Sequence, residues 1–553
     1  MTLAYRTPLA RALFLLSGFL LLGSLAAAQG RVEVTVLDPT PGATLLKVSL
    51  DGYATTPAPA AGAGYVELAI PGEGSADVPG DPRLPRVSRS LVLPPDRAVQ
   101  ARVVSARWHD VPDVRVAPGR GPIPRSIDPD DVPYVFGPAY GRDAFQPEAL
   151  ADTREPYIMR DVRGAVLDLA VLQYNPARNV LRVYDELLVR VESSGPAQVN
   201  PLELAGQPDR ADANFARMFR HHFVNWVPTK AISFTESGDM LIISHGPFIA
   251  AMQPFIDWKN SQGIQTTIVD VATIGNSYNA IKSYIQGVYA GGNLSYVLLV
   301  GDLAEIATGY YAGGESDPSY STLTSDWYPD ILVGRFSASA LAHVQTQVER
   351  SIEYEQGDHV LSAGGWHTYG MGIASNQGPG HYGEYDNQHM DLVRQDLLGY
   401  GFAKVDQVYD PYGTRTQIRN GLEEGRRLIH YCGHGSTTSW SDPSFTQGNI
   451  NGLQNDGEYC LAVGNCCLTS TYDIAECFAE TWLRAPNKGA IGYIGGSNST
   501  YWDEDYWWGV GFHPSNEIDG TAWPVEETGI GVYDGVFHDH GEEDHLWYVT
   551  NDA

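Results

Sequence analysis

Hydrophobic and polar positions change rhythm twice along this chain. From Arg31 to about Asn200 apolar residues alternate with polar ones, as at Val32, Val34 and Val36, which is the period of strands with one buried face. Pieces such as Gly80-Asp81-Pro82-Arg83-Leu84-Pro85 and Leu93-Pro94-Pro95 read as edge or turn chemistry, because proline has no N–H to give to a ladder. An all-β module of roughly 170 residues is predicted. Between Pro201 and Lys230 the chain turns polar and basic, with Arg210, Arg217, Arg220 and Lys230 and no clear period. That predicts an exposed linker, the kind of backbone that proteases nick.

After Gly238 short apolar runs alternate with helical stretches. Residues 240–243, 266–269, 296–300, 331–333, 370–373, 428–431, 459–463 and 490–494 predict strands. Residues 248–260, 279–289 and 338–354 predict helices, the last with Ser337 as its N-cap. Such βα alternation predicts a parallel sheet covered on both faces, with reactive side chains in the loops that follow the strands.

Composition narrows the class. The 553 residues are 43% apolar, enough for two or three cores. Residues 1–30 carry Arg6 and Arg11, then an apolar stretch and Ala26-Ala27-Ala28, which predicts a secretory signal peptide and an extracellular protein. No later stretch approaches 18 consecutive apolar residues, so no transmembrane segment is expected after its removal. The net charge of −30, from 66 acidic and 36 basic residues, repels nucleic acid and anionic lipid surfaces, so no nucleic-acid partner is expected. Five cysteines stand at 432, 460, 466, 467 and 477, which is no disulfide framework. An odd number leaves a free thiol unless it pairs between chains, and invites a catalytic reading.

Two strand ends concentrate the chemistry: Tyr431-Cys432-Gly433-His434-Gly435-Ser436 and Gly464-Asn465-Cys466-Cys467. If the two strands are neighbours in one parallel sheet, an imidazole and a thiol converge at its carboxyl edge, as a nucleophile and its base require. Histidine near its ordinary pKa both takes the thiol proton and returns it to a leaving amine. Gly435 leaves room for a peptide backbone and frees its N–H for an oxyanion, with the Cys467 N–H as second donor. Cys466 and Cys467 both stand at that edge as candidate thiols.

Gly433-His434-Gly435-Ser436 and Asn465-Cys466-Cys467-Leu468-Thr469-Ser470-Thr471-Tyr472-Asp473 resemble the His and Cys motifs of gingipain-type cysteine peptidases. Asp326-Trp327-Tyr328-Pro329-Asp330, Cys477-Phe478-Ala479-Glu480 and Ser497 to Trp502 are similar too, and Gly80 to Pro85, Pro94 and Asn175-Pro176 resemble the family's propeptide. Aligned on the family's motif, Cys467 takes the nucleophile's position and Ser470 stands where the family has glycine, so the resemblance makes Cys467 the candidate nucleophile and Cys466 the alternative. The resemblance implies an α/β fold with a caspase-like parallel-sheet catalytic domain preceded by an all-β prodomain. Residues 1–28 would be the signal peptide, 29–230 the prodomain and linker, and 231–553 the peptidase domain, expected to be truncated at its C-terminal end. It also implies a zymogen that cleaves protein or peptide substrates through a thioester, with its own propeptide as inhibitor. On the family's pattern Asp326 would grip a basic P1 side chain, Arg or Lys, Trp502 would cover that pocket, and Asp330 is a candidate orienting acid for His434. No cofactor is expected for catalysis, and calcium is a candidate structural ion. Two other classes stay open. His538-Asp539-His540-Gly541-Glu542-Glu543-Asp544-His545 has the ligand types of a metal-dependent hydrolase. The same fold could also serve a non-catalytic adhesion or secretion-associated protein.

Overall fold

A computed structural model describes residues 31–502, 505, 508 and 509, apart from 71–72, 204–209, 229–230, 233–237, 312, 325, 327, 358–364 and 379–384. Residues 1–30, where a signal peptide is expected, and the acidic, histidine-rich segment 538–545 therefore lie outside the described residues.

The alternating N-terminal region is all-β, as its period predicts. One five-stranded antiparallel sheet holds Val32–Asp38, Ala43–Leu50, Arg97–Val111, Leu172–Asn175 and Val180–Pro196. A second holds Gly74–Ala76, Leu84–Val92, Ala151–Thr153, Tyr157–Met159 and Val162–Leu169. Leu46, Val48, Leu187 and Val189 of the first sheet share one core with Val87, Leu91, Leu167 and Leu169 of the second.

The polar stretch that follows is not simply an exposed linker. Ala213–His222 is an α-helix, with the Asp212 carboxylate accepting from the N–H groups of Asn214 and Phe215. Phe215, Phe219 and Phe223, four residues apart, pack on Tyr157 and Met159 of the β domain. The charged residues between them hide this stripe in a composition count, although burying each ring is worth about 1.5–3 kcal/mol.

Among the described residues, the C-terminal region contains nine strands in two parallel sheets, not one. Numbered along this region they are β1 (Asp239–Ser244), β2 (Thr266–Asp270), β3 (Leu294–Val300), β4 (Leu332–Phe336), β5 (Tyr369–Ala374), β6 (Lys404–Tyr409), β7 (Leu428–Cys432), β8 (Cys460–Asn465) and β9 (Ala490–Gly495). The first sheet runs β2-β1-β3-β4 and the second β6-β5-β7-β8-β9. Strand β6 escapes the sequence pattern because Lys404, Asp406 and Gln407 break its apolar run. The sheets are tied by buried arginines. Arg350, from the helix Leu341–Gln356, donates to the carbonyls of Trp482 (3.0 Å) and Ala485 (2.6 Å). Arg484, from the helix Phe478–Arg484, reaches Asp302 just beyond β3 at 2.8 Å. Ser337 is not the N-cap of its helix, which begins at Leu341. Its hydroxyl donates instead to buried Glu480 at 2.6 Å, drawn there by a carboxylate that Arg484 alone does not satisfy.

Candidate active site

Strands β7 and β8 are hydrogen-bonded neighbours, and their last paired residues are Cys432 and Asn465. His434 and Cys467 each stand two residues further on, so both emerge at the carboxyl edge of the second sheet. The His434 backbone is pinned: its carbonyl accepts from the Tyr431 hydroxyl at 2.8 Å and the Ser441 N–H at 3.0 Å. The Cys467 turn is tighter. Leu468 adopts φ 66°, a left-handed conformation that costs a branched side chain energy and is found where surrounding structure enforces it. Enforcement comes from residues 496–498: Leu468 N donates to Asn498 O at 3.1 Å and Ser470 N to Gly496 O at 2.9 Å. The Ser470 side chain lies beside Gly495.

Gly435 is required by this packing. A Cβ there would overlap the Cys467 carbonyl oxygen and stand 2.7 Å from Cys466 Sγ, so the histidine loop could not lie against the cysteine turn.

All five cysteines are free and buried, but 466 and 467 differ. Cys466 has no exposed surface, packs in the apolar cluster of Ile429, Trp440 and Phe478, and its thiol is pushed well up by burial. Cys467 keeps 9% exposure, and its sulfur accepts from the Thr500 N–H at 3.2 Å and touches the Thr500 hydroxyl at 3.4 Å.

A segment of the β domain lies beside the Cys467 turn. Residues 123–127 run antiparallel to 500–502: Arg125 N donates to Thr500 O and Trp502 N to Ile123 O, both at 3.1 Å. The Trp502 indole N–H donates to Ile127 O at 3.0 Å. Arg125 enters a buried pocket and donates through one nitrogen to both Asp386 oxygens at 2.6 Å, while its other terminal nitrogen lies 3.5 Å from Asp505. The Trp502 ring covers the guanidinium at 4.3 Å and meets the His434 ring edge-on at 6.4 Å. Ser375 donates to Asp386 at 2.6 Å, and the buried Cys432 thiol lies 3.5 Å from the same carboxylate. Burial works against the Arg125 charge, yet the neighbouring anions, Asp386 first, hold its pKa well above the ordinary value. Burial and then the Arg125 charge push the His434 imidazole down, against the pull of Asp386 and Asp442.

The two aspartates chosen from the sequence have other partners. Asp326 accepts from Tyr328 N at 2.9 Å, Thr324 Oγ1 at 3.0 Å and Ile158 N of the β domain at 2.7 Å. Asp330 accepts from Leu323 N at 2.7 Å, Thr324 N at 3.1 Å and Arg160 N at 3.0 Å. Both precede β4 and so lie at the amino edge of the first sheet, whereas His434 and Cys467 follow strands of the second. The residues around the arginine that sequence reasoning missed are Asp386, Asp505 and Thr500, together with Arg125 itself. Thr500 lay inside the family-like segment Ser497 to Trp502 and Arg125 in the run Ile123-Pro124-Arg125-Ser126-Ile127, while Asp386 and Asp505 left no such signal. Among the described residues no three His, Cys, Asp or Glu side chains gather to hold a metal ion, so the candidate calcium has no such ligand set there. Among them, too, no helix is long and apolar enough to cross a membrane.

Compared with known proteins, residues 234–543 match peptidase family C25 and residues 64–205 match the C25 propeptide. Gingipain R2 of Porphyromonas gingivalis is 33% identical over 420 residues, 74% of this chain and 56% of its own length. Lys-gingipain of the same organism is 28% identical over 511 residues, 86% of this chain and 28% of its own. The chain thus spans about half, or less, of the length of the curated relatives it matches. Among solved structures, the Arg-specific cysteine proteinase gingipain R is 28% identical with a TM-score of 0.47, covering 59% of this chain and 77% of that one. The complex of Porphyromonas gingivalis RgpB pro- and mature domains is also 28% identical, with a TM-score of 0.46 over 49% and 66%.

Proposed function

The chain belongs to peptidase family C25, and from that premise we propose that it is the exported precursor of a cysteine endopeptidase that cleaves after arginine. Cys467 is the nucleophile and His434 its general base and acid. The thiolate attacks the scissile carbonyl, the thiol proton passes to His434 and on to the leaving amine, and water then hydrolyses the thioester. The N–H groups of Gly435 and Cys467 receive the oxyanion. Cys466 is a core residue, as its burial among Ile429, Trp440 and Phe478 supports.

One observation carries the substrate class: Arg125, on a strand laid antiparallel along residues 500–502, sits in a pocket of Asp386, Asp505 and Trp502 beside Cys467. The planar guanidinium suits a carboxylate pocket under an aromatic lid better than the point charge of lysine does. The same observation supports latency, because a substrate arginine and Arg125 compete for one place. The N-terminal domain is then an inhibitor of the C-terminal one.

The test is hydrolysis of peptides with Arg, Lys or a neutral residue at P1 by protein freed of residues 31–230, with and without a thiol alkylator. Alkylator-sensitive cleavage after Arg, lost in Cys467→Ala and largely kept in Cys466→Ala, is expected. Chelator-sensitive cleavage, or turnover that survives in Cys467→Ala, would refute the reading.

A further inference from the structure

The Thr500 side chain stands between two groups that act at different stages. Its hydroxyl oxygen is 2.7 Å from Asp505 Oδ2 and 3.4 Å from Cys467 Sγ, while its backbone binds on both sides: N–H to the sulfur at 3.2 Å, carbonyl to the Arg125 N–H at 3.1 Å. Asp505 in turn faces the bound guanidinium at 3.5 Å, and its main-chain carbonyl is fixed by the Asn465 side chain at 2.7 Å. Sulfur, hydroxyl, carboxylate and P1 cation thus form one chain of contacts.

A hydroxyl has one proton to give. An ionised carboxylate only accepts, so while Asp505 holds that proton the sulfur meets an oxygen lone pair, an arrangement that suits a thiol and opposes a thiolate. If the hydroxyl turns to the sulfur, it stabilises the thiolate by a charge-assisted bond but withdraws a donor from a carboxylate that is only 5% exposed. A cation beside Asp505 replaces the lost donor.

We propose that Thr500 is a positioning residue that couples occupation of the P1 pocket by a cation to ionisation of Cys467, by sharing its single hydroxyl proton between Asp505 and the sulfur. This rests on the reading of Cys467 as the nucleophile. Among the described residues, the charged or titratable groups around that sulfur are Asp505, held through Thr500, Arg125 while the β domain is bound, the buried Cys466 thiol, and His434, whose ring meets Trp502. No proton is created or lost at Thr500. The thiol proton goes to His434, and the hydroxyl proton only changes acceptor. The coupling is reciprocal, so a thiolate also tightens the pocket's hold on a cation.

The experiment uses protein freed of its β domain and agmatine as the P1 cation. The rate of Cys467 alkylation by iodoacetamide is followed against pH, with the modified residue located by peptide mass mapping. In the wild type, saturating agmatine should raise the alkylation rate on the acid limb by roughly fivefold or more, the lower range of coupling between sites. Thr500→Val, which keeps the backbone N–H, should still bind agmatine through Asp386 but lose that rise, and Thr500→Ser should restore it. A Thr500→Val profile that still moves with agmatine, a Thr500→Ser profile that does not, or a wild type whose profile agmatine leaves in place overturns the proposal. Failure of the underlying reading looks different: alkylation then maps away from Cys467, or peptide cleavage survives full modification of it.

Discussion

Where residues 123–127 enter the cleft of the second sheet, the β domain binds through one buried cation. Where residues 157–160 and the helix Ala213–His222 meet the first sheet, it binds through rings and backbone. The cleft contact sets an Arg125 side chain with 1% exposure against Asp386 with 4%, under an indole. The distal contact stacks Tyr157 on Tyr328 with ring centroids 3.4 Å apart, and Ile158 and Arg160 give their N–H groups to Asp326 and Asp330. Arg160 also reaches the Leu294 carbonyl at 3.0 Å and Ser295 at 2.9 Å. On the proposed function, a substrate arginine would replace the first contact. No single side chain of a substrate can replace the second. Latency should therefore depend on the cleft and residual affinity of a cleaved β domain on the distal contact.

Breaking the cleft contact should have the largest effect. Arg125→Ala leaves Asp386 and Asp505 buried without their cation, which typically costs about 3–5 kcal/mol. The unprocessed chain should hydrolyse arginyl peptides at once and melt lower than the wild type. A variant that stays latent would show that the distal contact alone closes the cleft. Asp386→Asn comes next. Truncating a buried charge pair costs about 2–5 kcal/mol, so kcat/KM for arginyl peptides should fall at least thirtyfold in the freed enzyme while neutral-P1 turnover is unmoved. Equal losses on both substrates would make Asp386 structural only.

The distal contact should respond more mildly. Tyr157→Leu keeps an apolar side chain but removes the stacked ring, worth about 0.5–1.5 kcal/mol beyond its area. The affinity of the separated β domain should drop accordingly, with inhibition still complete at high concentration. If latency were lost instead, the two contacts would not divide their work in this way.

The sequence announced the two halves of this molecule unequally. Strands β1, β3, β7, β8 and β9 are mostly apolar, so their positions, and with them the placing of the His434 and Cys467 loops after neighbouring strands, were legible without a structure. The pocket was not. Asp386 and Arg125 are 261 positions apart and belong to different domains, so nothing local marks either as the other's partner. Asp326 and Asp330 mislead for a related reason: they sit beside a strand of the right region, but at its amino edge, where a parallel sheet does not build a site. The phenylalanine stripe of the helix Ala213–His222 was readable at spacing four, yet composition obscured it.

The smallest effect expected is the pH response of the distal contact, because two of its groups oppose each other. His222, whose ring lies 2.7 Å from the Tyr157 hydroxyl, is pushed down to about 4 by burial. The unfolded chain takes up that proton near pH 6.5 and the folded chain does not, so His222 lowers stability as pH falls from 6.5 toward 4. Asp330 is raised to about 6 by burial, against the backbone donors that pull it down. It binds its proton earlier in the folded chain and so raises stability as pH falls from 6 toward 3.8. Each shift corresponds to roughly 3 kcal/mol at its limit, and over most of the window the two cancel. As far as these two groups govern it, wild-type melting should be nearly flat between pH 6 and 4.5. His222→Gln should expose the Asp330 slope, melting higher at pH 4.5 than at pH 6 relative to the wild type. Parallel curves for the two proteins would mean that His222 titrates in the docked state much as it does in the unfolded chain, and that the ring packing around Tyr157 does not exclude its charge.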